Sequence, residues 1–412
     1  MCTGHKTILL FISALLLLPR AVMAEQYRSK LLLNPGQELT ESADVSIREL
    51  EASFNDMQRD YSKASAGTQL ARHYVQQGEY EKAIDYYQSA LSTQGLAQVV
   101  QADLRRELAD VYLQMKLPQQ ALDTLQPLGA IEHYSEPALL LTYGRVQFAL
   151  GNYLRVADAL DRLLILTQPE QQALYQQIVA LAYSIQDYER SAATLKVLLQ
   201  RYPQHAEYWF QLVSMLLKRG QNQQALEYLM VARMQGIAFS EQNTLLLASL
   251  YTANGNPYTG AKTLQEAMLS GAVTPTGERY QTLFEYWLQA QEREPATRAL
   301  AQAAKLTADA ELYLYWAHLL LEQAQWAEMN VVVRELCECA LDPRLTGRAN
   351  VMLGISEYRL GNKSVAYRAF ANATLSGGVN TQAGHWLAKL EAEGVEGTQP
   401  SSASGPCQPA TP

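Results

Sequence analysis

The sequence predicts an all-α fold, a superhelical solenoid of about nine helix-turn-helix repeats with a capping helix at each end. Three observations support this prediction. Apolar residues recur at the spacing of helices, a short pattern of Leu, Ala, Tyr and Gly returns about every 35 residues, and several copies place a glycine between their two helices. Because each repeat of such an array packs only against its neighbours, the chain need not divide into ordinary globular domains.

The repeat is clearest in its first copy. Leu70 and Tyr74 are four residues apart and therefore share one face of a first helix, helix A. Gly78 supplies the backbone freedom that ends this helix before a second one, helix B. Ala71 and Ala83 are small, which lets the two helices approach closely. The later copies begin at Leu108, Tyr143, Ile178, Leu212, Leu247, Leu283, Trp316 and Leu353.

This pattern resembles the tetratricopeptide repeat (TPR), whose period is about 34 residues. The resemblance covers residues 65–380 and implies a protein-binding solenoid that has no reaction of its own. In that family, helix A residues around the conserved Leu position line a concave groove. Carried over to this sequence, the register predicts a partner-binding groove formed by Arg72, Arg106, Arg145, Phe148, Tyr183, Phe210, Leu217, Glu285, Leu288 and Tyr358.

The predicted groove is aromatic around Phe148 and Tyr183, a composition suited to anchoring a peptide or a helix. It is also graded in charge, with Arg residues in the first three copies and Glu residues such as Glu285 in the seventh and eighth. The alternative for each apolar member is that it packs against the neighbouring repeat. In that case it contributes to folding and not to binding.

The first 24 residues have the features of a secretory signal peptide. A basic start at Lys6 precedes an apolar run from Ile8 to Leu18, and a cleavage site follows Ala24. This run is too short to span a bilayer, and no later segment is long and apolar enough to do so. We therefore expect an exported protein without a transmembrane segment in the mature chain, the alternative being a retained signal anchor.

The remaining chain divides into four parts. Residues 25–67 are a leader, with one amphipathic helix from Asp44 to Tyr61 that covers the first repeat. Residues 68–380 are the repeat array. A helix over residues 381–393 covers the last repeat, since a terminal repeat cannot bury its open face alone. Residues 394–412 are rich in Gly, Pro, Ser and Thr, and we expect them to be a disordered tail.

The cysteines do not form an obvious disulfide framework. Cys337 and Cys339 are two residues apart in a helical pattern, so they point to different faces and are expected to be buried small residues. Cys407 lies in the tail. A bridge from Cys407 to either Cys337 or Cys339 is the alternative.

The chain contains none of the motifs that would indicate an enzyme. There is no H-E-x-x-H zinc motif, no G-x-S-x-G elbow and no glycine-rich phosphate loop. The net charge of −8 and the absence of a basic stripe argue against binding to nucleic acid. The sequence therefore predicts no catalytic residue, no metal, no cofactor and no nucleic-acid partner.

The layout of the whole chain resembles the exported TPR proteins that accompany bacterial TonB–ExbB–ExbD energy-transduction systems. The resemblance lies in the signal peptide, the leader helix, the uninterrupted array and the absence of an enzyme domain. It implies a periplasmic scaffold or adaptor whose partners are envelope proteins, among them components of the TonB complex, and which assists the uptake of iron complexes. An assembly or chaperone-like factor for outer-membrane proteins, polysaccharide export or secretion is one alternative, and a non-catalytic subunit of an enzyme is another.

Overall fold

The computed structural model of the protein describes residues 42–93, 96–168, 170–338, 341–375, 379–395 and 407. Twenty α-helices and two short 3-10 turns make up the regular structure of these residues, which include no strand. The predicted all-α class is therefore confirmed. The predicted signal peptide and the leader up to residue 41 lie outside the described residues.

The chain forms two compact units that divide between Gln221 and Asn222. The helices of the first unit are α1 (Ser42–Phe54), α2 (Asp60–Gln77), α3 (Tyr80–Ser92), α4 (Gln98–Gln114), α5 (Pro118–Leu125), α6 (Pro137–Ala149), α7 (Tyr153–Leu166), α8 (Gln172–Ser184), α9 (Tyr188–Arg201) and α10 (Ala206–Lys218). Those of the second are α11 (Asn222–Met234), α12 (Glu241–Ala253), α13 (Pro257–Leu269), α14 (Gly277–Gln289), α15 (Arg293–Thr307), α16 (Ala310–Glu322), α17 (Trp326–Cys337), α18 (Pro343–Arg359), α19 (Lys363–Thr374) and α20 (Asn380–Ala392).

Within each unit the helices pair into hairpins of one helix A and one helix B. The first unit has four such hairpins from α2 to α9 and ends on α10, which is the helix A of the fifth copy. The second unit begins with α11, the helix B of that copy, and has four hairpins from α12 to α19. Each predicted copy thus corresponds to one helix A and one helix B.

The turn between helix A and helix B has one geometry in all nine copies. Each turn contains one residue with a left-handed backbone conformation. In five copies this residue is a glycine (Gly78, Gly151, Gly220, Gly255 and Gly361). In the other four it is Lys116, Gln186, Gln291 or Ala324. The next amide donates a hydrogen bond of 2.9 Å to the carbonyl five residues earlier in every copy, as Glu79 does to Tyr74. This bond satisfies a carbonyl at the end of helix A and turns the chain back along it.

The turn residue should therefore control stability through its backbone conformation. A Cβ added to Gly78 would meet no atom within 4 Å, so Gly78→Val tests backbone strain alone. We expect it to lower the free energy of unfolding by about 1 kcal/mol or more, measured by denaturant titration. Gln186→Gly, which relieves the same strain, should be neutral or stabilising. Gly384→Val, in a helix with open space around it, should cost much less than Gly78→Val; equal losses would contradict this account.

The leader helix is shorter than the sequence predicts. The expected helix over Asp44 to Tyr61 ends at Phe54, where the amides of Asp56 and Met57 bond back to the preceding turn. Tyr61 belongs to α2, the helix A of the first copy. The prediction was wrong because the apolar residues keep helical spacing across the break, so periodicity does not reveal it.

A carboxylate holds the leader helix on the first hairpin. Glu51 accepts hydrogen bonds from the phenols of Tyr74 at 2.7 Å and Tyr86 at 2.8 Å. The bond from Tyr74 is the main cause of a lowered pKa at Glu51. Phe54 is buried nearby, with its ring 5.2 Å from that of Tyr86. The leader helix therefore covers the open end of the array with both a polar and an apolar contact.

The far end of the array is also covered. Where the sequence predicts a capping helix over 381–393, the structure has α20. Leu390 of this helix is fully buried, and the Trp386 ring stacks on that of Phe370 at 5.3 Å. These contacts shield the apolar face of α19, which has no further repeat to pack against among the described residues.

A disulfide joins Cys337 at the end of α17 to Cys407. The expectation that Cys337 is an unbonded small residue was therefore wrong, and the pairing follows from a contact 70 residues apart that helical spacing does not show. Cys407 is buried, and its carbonyl accepts a bond of 2.6 Å from Asn350. Apart from residues 394, 395 and 407, the predicted disordered tail lies outside the described residues, as does Cys339.

The disulfide closes a loop that contains α18, α19 and α20, so it should stabilise the last hairpin and its cap. We expect Cys337→Ser to lower the free energy of unfolding by about 2–4 kcal/mol, because the unfolded chain loses a constraint of 70 residues. Reduced wild-type protein should melt like this variant, and Cys339→Ser should melt like the oxidised wild type. Identical melting of the wild type with and without reductant would rule out the bond.

Candidate functional site

The predicted groove residues fall in both units. Seven of them lie in the first unit: Arg72, Arg106, Arg145, Phe148, Tyr183, Phe210 and Leu217. The remaining three, Glu285, Leu288 and Tyr358, lie in the second. All ten are on a helix A, as the register predicts. The two sets are treated separately below.

Two of the three arginines are engaged in ion pairs. Arg72 donates to both oxygens of Glu107 on the next helix A, at 2.9 and 2.8 Å. Arg106 pairs with Asp103 at 2.7 Å and with Asp110 at 3.2 Å. These residues form a continuous charge network across α2 and α4. A bidentate pair of this kind fixes both side chains as well as neutralising them.

The network extends into partly buried polar groups. Tyr87 donates to Glu107 at 2.8 Å, and Thr142 of α6 donates to Asp110 at 3.0 Å. Burial raises the pKa of Asp110, and the charge of Arg106 and the bond from Thr142 only partly oppose this effect. The network therefore joins three consecutive repeats by polar contacts.

The predicted charge gradient needs correction at its basic end. Arg72 and Arg106 pair with Asp103, Glu107 and Asp110, so the charge of these two arginines is balanced within the network. The predicted gradient did not take account of Asp103 and Glu107, which lie at other positions of α4. Arg145 is exposed, and its charge acts on Asp110. The ion pair of Arg72 therefore joins two consecutive repeats, whereas those of Arg106 lie within α4.

Two aromatic pairs lie one repeat apart in the first unit, and each has at least one exposed ring. The Phe148 ring lies 6.0 Å from that of Tyr153, and the Tyr183 ring lies 5.8 Å from that of Tyr188. Phe148 is 37% exposed, Tyr183 45% and Tyr153 54%. Lys218 of the following copy places its Nζ 5.6 Å from the Tyr183 ring and 5.3 Å from the Tyr188 ring. We call these five residues the aromatic ladder.

Of this ladder, the predicted groove includes Phe148 and Tyr183 but not Tyr153 and Tyr188. Each of these two tyrosines begins a helix B directly after the left-handed turn. That turn brings the first residue of helix B beside the last turn of helix A. The spacing of 35 residues between both members of the two pairs was a signal that could have identified them.

The other predicted residues contribute in different ways. Phe210 and Leu217 are half-buried on α10, whereas Glu285 and Leu288 of the second unit are exposed. Tyr358 donates to Glu393 at 2.8 Å, and its ring lies 5.2 Å from that of Trp386. Tyr358 therefore packs against the end of the array that α20 covers, and its role in partner binding stays a prediction.

Within the part of the chain that the structure describes, no group of three or more His, Cys, Asp or Glu side chains could hold a metal ion. No helix of the described ranges is long and apolar enough to cross a membrane.

The chain resembles solved structures of TPR proteins at low identity. One from Parabacteroides merdae is 16% identical over 62% of this chain and 97% of its own, with a TM-score of 0.36. MamA from Desulfovibrio magneticus is 20% identical over 41% and 93%, with a TM-score of 0.31. A TPR protein of Thermus thermophilus is 20% identical over 45% and 100%, with a TM-score of 0.25. These likenesses are limited to the repeat fold. No family model and no curated protein matches the chain.

Substitutions of Arg106 and Arg145 test which of these arginines stabilises the fold and which is free to bind a partner. Arg106→Gln would leave the partly buried Asp110 without its ion pair and Asp103 with only Arg72, so it should destabilise the protein by about 1–3 kcal/mol in denaturant titration. Arg145→Gln should change stability by less than about 0.5 kcal/mol. The double variant Arg106→Gln/Asp110→Asn should recover part of the loss. A fully stable Arg106→Gln protein would restore this residue as a candidate anchor.

Proposed function

We propose that this chain is an exported, non-catalytic adaptor that captures a protein partner on the aromatic ladder. The observation that carries the proposal is the recurrence of an aromatic pair on consecutive repeats, with the rings of Phe148, Tyr153 and Tyr183 exposed. Tyrosine and other aromatic residues are enriched among the side chains that dominate binding energy at protein interfaces. Repetition of the pair by one repeat gives an extended partner two equivalent anchoring points.

The chemistry of the ladder suits a partner with apolar or aromatic side chains beside a carboxylate. Phe148 and Tyr183 offer ring faces, while Lys218 supplies a cation that already lies against two rings. Arg145, on α6 with Phe148, adds a second exposed positive charge. An acidic segment would therefore be steered to this surface, and the effect should weaken as salt is added.

An envelope location is part of the proposal. Its support is the signal peptide predicted from residues 1–24 together with the disulfide between Cys337 and Cys407, because disulfides persist in oxidising compartments such as the periplasm. The resemblance in layout to the proteins that accompany TonB–ExbB–ExbD makes components of that complex the first partners to examine. In this role the chain would hold envelope proteins together and perform no reaction.

Site-specific photo-crosslinking in the periplasm tests the proposal. A photoreactive amino acid at position 183 should crosslink a discrete partner, and the same probe at Tyr61, which is exposed on α2 of the same unit, should not. Phe148→Ala/Tyr183→Ala should reduce capture of the crosslinked partner at least tenfold with an unchanged melting temperature. Capture that survives in the folded double variant would show that the ladder is not the working surface.

A further inference from the structure

Cys407 is a buried residue of the second unit that belongs to no helix. It is 4% exposed, and it is part of the same apolar core as Leu336 near the end of α17. The sequence on either side of it, residues 399–412, contains no Val, Ile, Leu, Met, Phe, Trp or Tyr. The burial of Cys407 therefore does not come from an apolar segment, and the contacts of this one residue must account for it.

Two contacts hold Cys407 in this position. One is the disulfide to Cys337, and the other is the hydrogen bond of 2.6 Å that its carbonyl accepts from the amide nitrogen of Asn350. Asn350 lies on α18 and is fully buried, and its amide also donates to the carbonyl of Thr346 at 3.0 Å. Cys407 is thus held by one covalent bond and one hydrogen bond.

The bound position of Cys407 is otherwise unfavourable. Its φ of 64° lies in the left-handed region, which residues that carry a Cβ rarely adopt. The Oδ1 atom of Asn350 is buried and has no hydrogen-bond partner among the described residues. A strained backbone and a buried acceptor without a donor both raise the free energy of this arrangement. The disulfide therefore keeps Cys407 in place, and the residue should leave once that bond is cut.

The two cysteines of the bond differ in their access to solvent. Cys337 is half-buried at the end of α17, whereas Cys407 is buried. A thiolate attacks the sulfur of a disulfide that it can reach, and the other sulfur leaves. The end of α17 carries a partial negative charge and Glu338 follows directly, so a thiolate is disfavoured at Cys337. Access and charge therefore both favour attack at Cys337 and departure of Cys407.

We propose that the bond between Cys337 and Cys407 is a reversible exchange site for a thiol oxidoreductase that carries a pair of reactive cysteines. A thiolate of that pair attacks Sγ of Cys337, the bond to Cys407 breaks, and Cys407 leaves as a thiolate that takes a proton from water. The second thiolate of the pair then attacks its neighbour's sulfur in the mixed disulfide, and Cys337 leaves and is protonated in turn. The oxidoreductase supplies both electrons and ends as a disulfide, and the reverse steps form the bond again.

Cleavage of the bond changes the end of the array. The disulfide closes a loop that contains α18, α19 and α20, so its loss makes the last hairpin and its cap less stable. Departure of Cys407 also gives the unpartnered oxygen of Asn350 access to water. The redox state of this bond therefore determines how firmly the last repeat is held, and the aromatic ladder of the first unit takes no part in the exchange.

Exchange of the folded, oxidised protein with reduced glutathione tests the direction of attack. The reaction is stopped with iodoacetamide, and peptide mass spectrometry locates the glutathione and the alkyl groups. We expect glutathione on Cys337 at least about fivefold more often than on Cys407, and a rate proportional to the concentration of glutathione thiolate. Cys339→Ser should exchange at the same rate, because the third cysteine takes no part. A smaller ratio, or exchange no faster than global unfolding, would overturn the proposal and leave a purely structural bond.

The alkylation rate of Cys407 measures its release. In the reduced wild type and in Cys337→Ser, Cys407 should react with iodoacetamide within about tenfold of its rate in urea, because only the disulfide keeps it buried. Circular dichroism establishes that both proteins are folded, and the reduced wild type serves alone if the variant does not fold. Stronger protection of Cys407 would overturn the proposal, since other contacts would then hold it. Neither measurement depends on partner capture by the aromatic ladder.

Discussion

The left-handed turn between helix A and helix B is the constraint on which the rest of the structure depends. It repeats nine times with the same bond from the following amide to the carbonyl five residues back. Each turn sets where helix B begins relative to helix A, and so determines which side chains of the pair are buried. Because the geometry recurs, a residue type placed at one position is displayed again one repeat later. The aromatic ladder is a consequence of this recurrence.

The surfaces of the repeats then differ from one another in two ways. One is a change of side chain at a repeated position: Phe148 and Tyr183 occupy corresponding places on successive helices A, and both remain partly exposed. The other is a change of the frame itself, as where helix α5 stops after 8 residues and leaves a cleft. A change of side chain at an exposed position has little effect on stability. A shortened helix requires other packing in its place, which Ile131, Tyr134 and the hydrogen bonds from Arg162 provide.

The sequence predicted local features well because their causes are local. The glycines at the turns, the period of the repeats and the helix that covers the last copy all follow from spacing and backbone preference. The errors concern contacts between residues far apart in sequence. Arg72 pairs with Glu107, 35 residues away, and Cys337 bonds to Cys407, 70 residues away. Periodicity along one helix does not contain these partners, so it did not show that Arg72 is held in an ion pair, and it left the bridge from Cys407 to Cys337 as an alternative only.

The central claim is that the first unit captures its partner on the aromatic ladder. Hydrogen–deuterium exchange of the protein with its crosslinked partner, followed by mass spectrometry, tests it most directly. The account predicts added protection over the ends of α6 and α8 and the turns that follow them, at residues 145–153 and 180–188. Protection confined to the later turns of α7 and α9, with no change at residues 145–153 and 180–188, would contradict it.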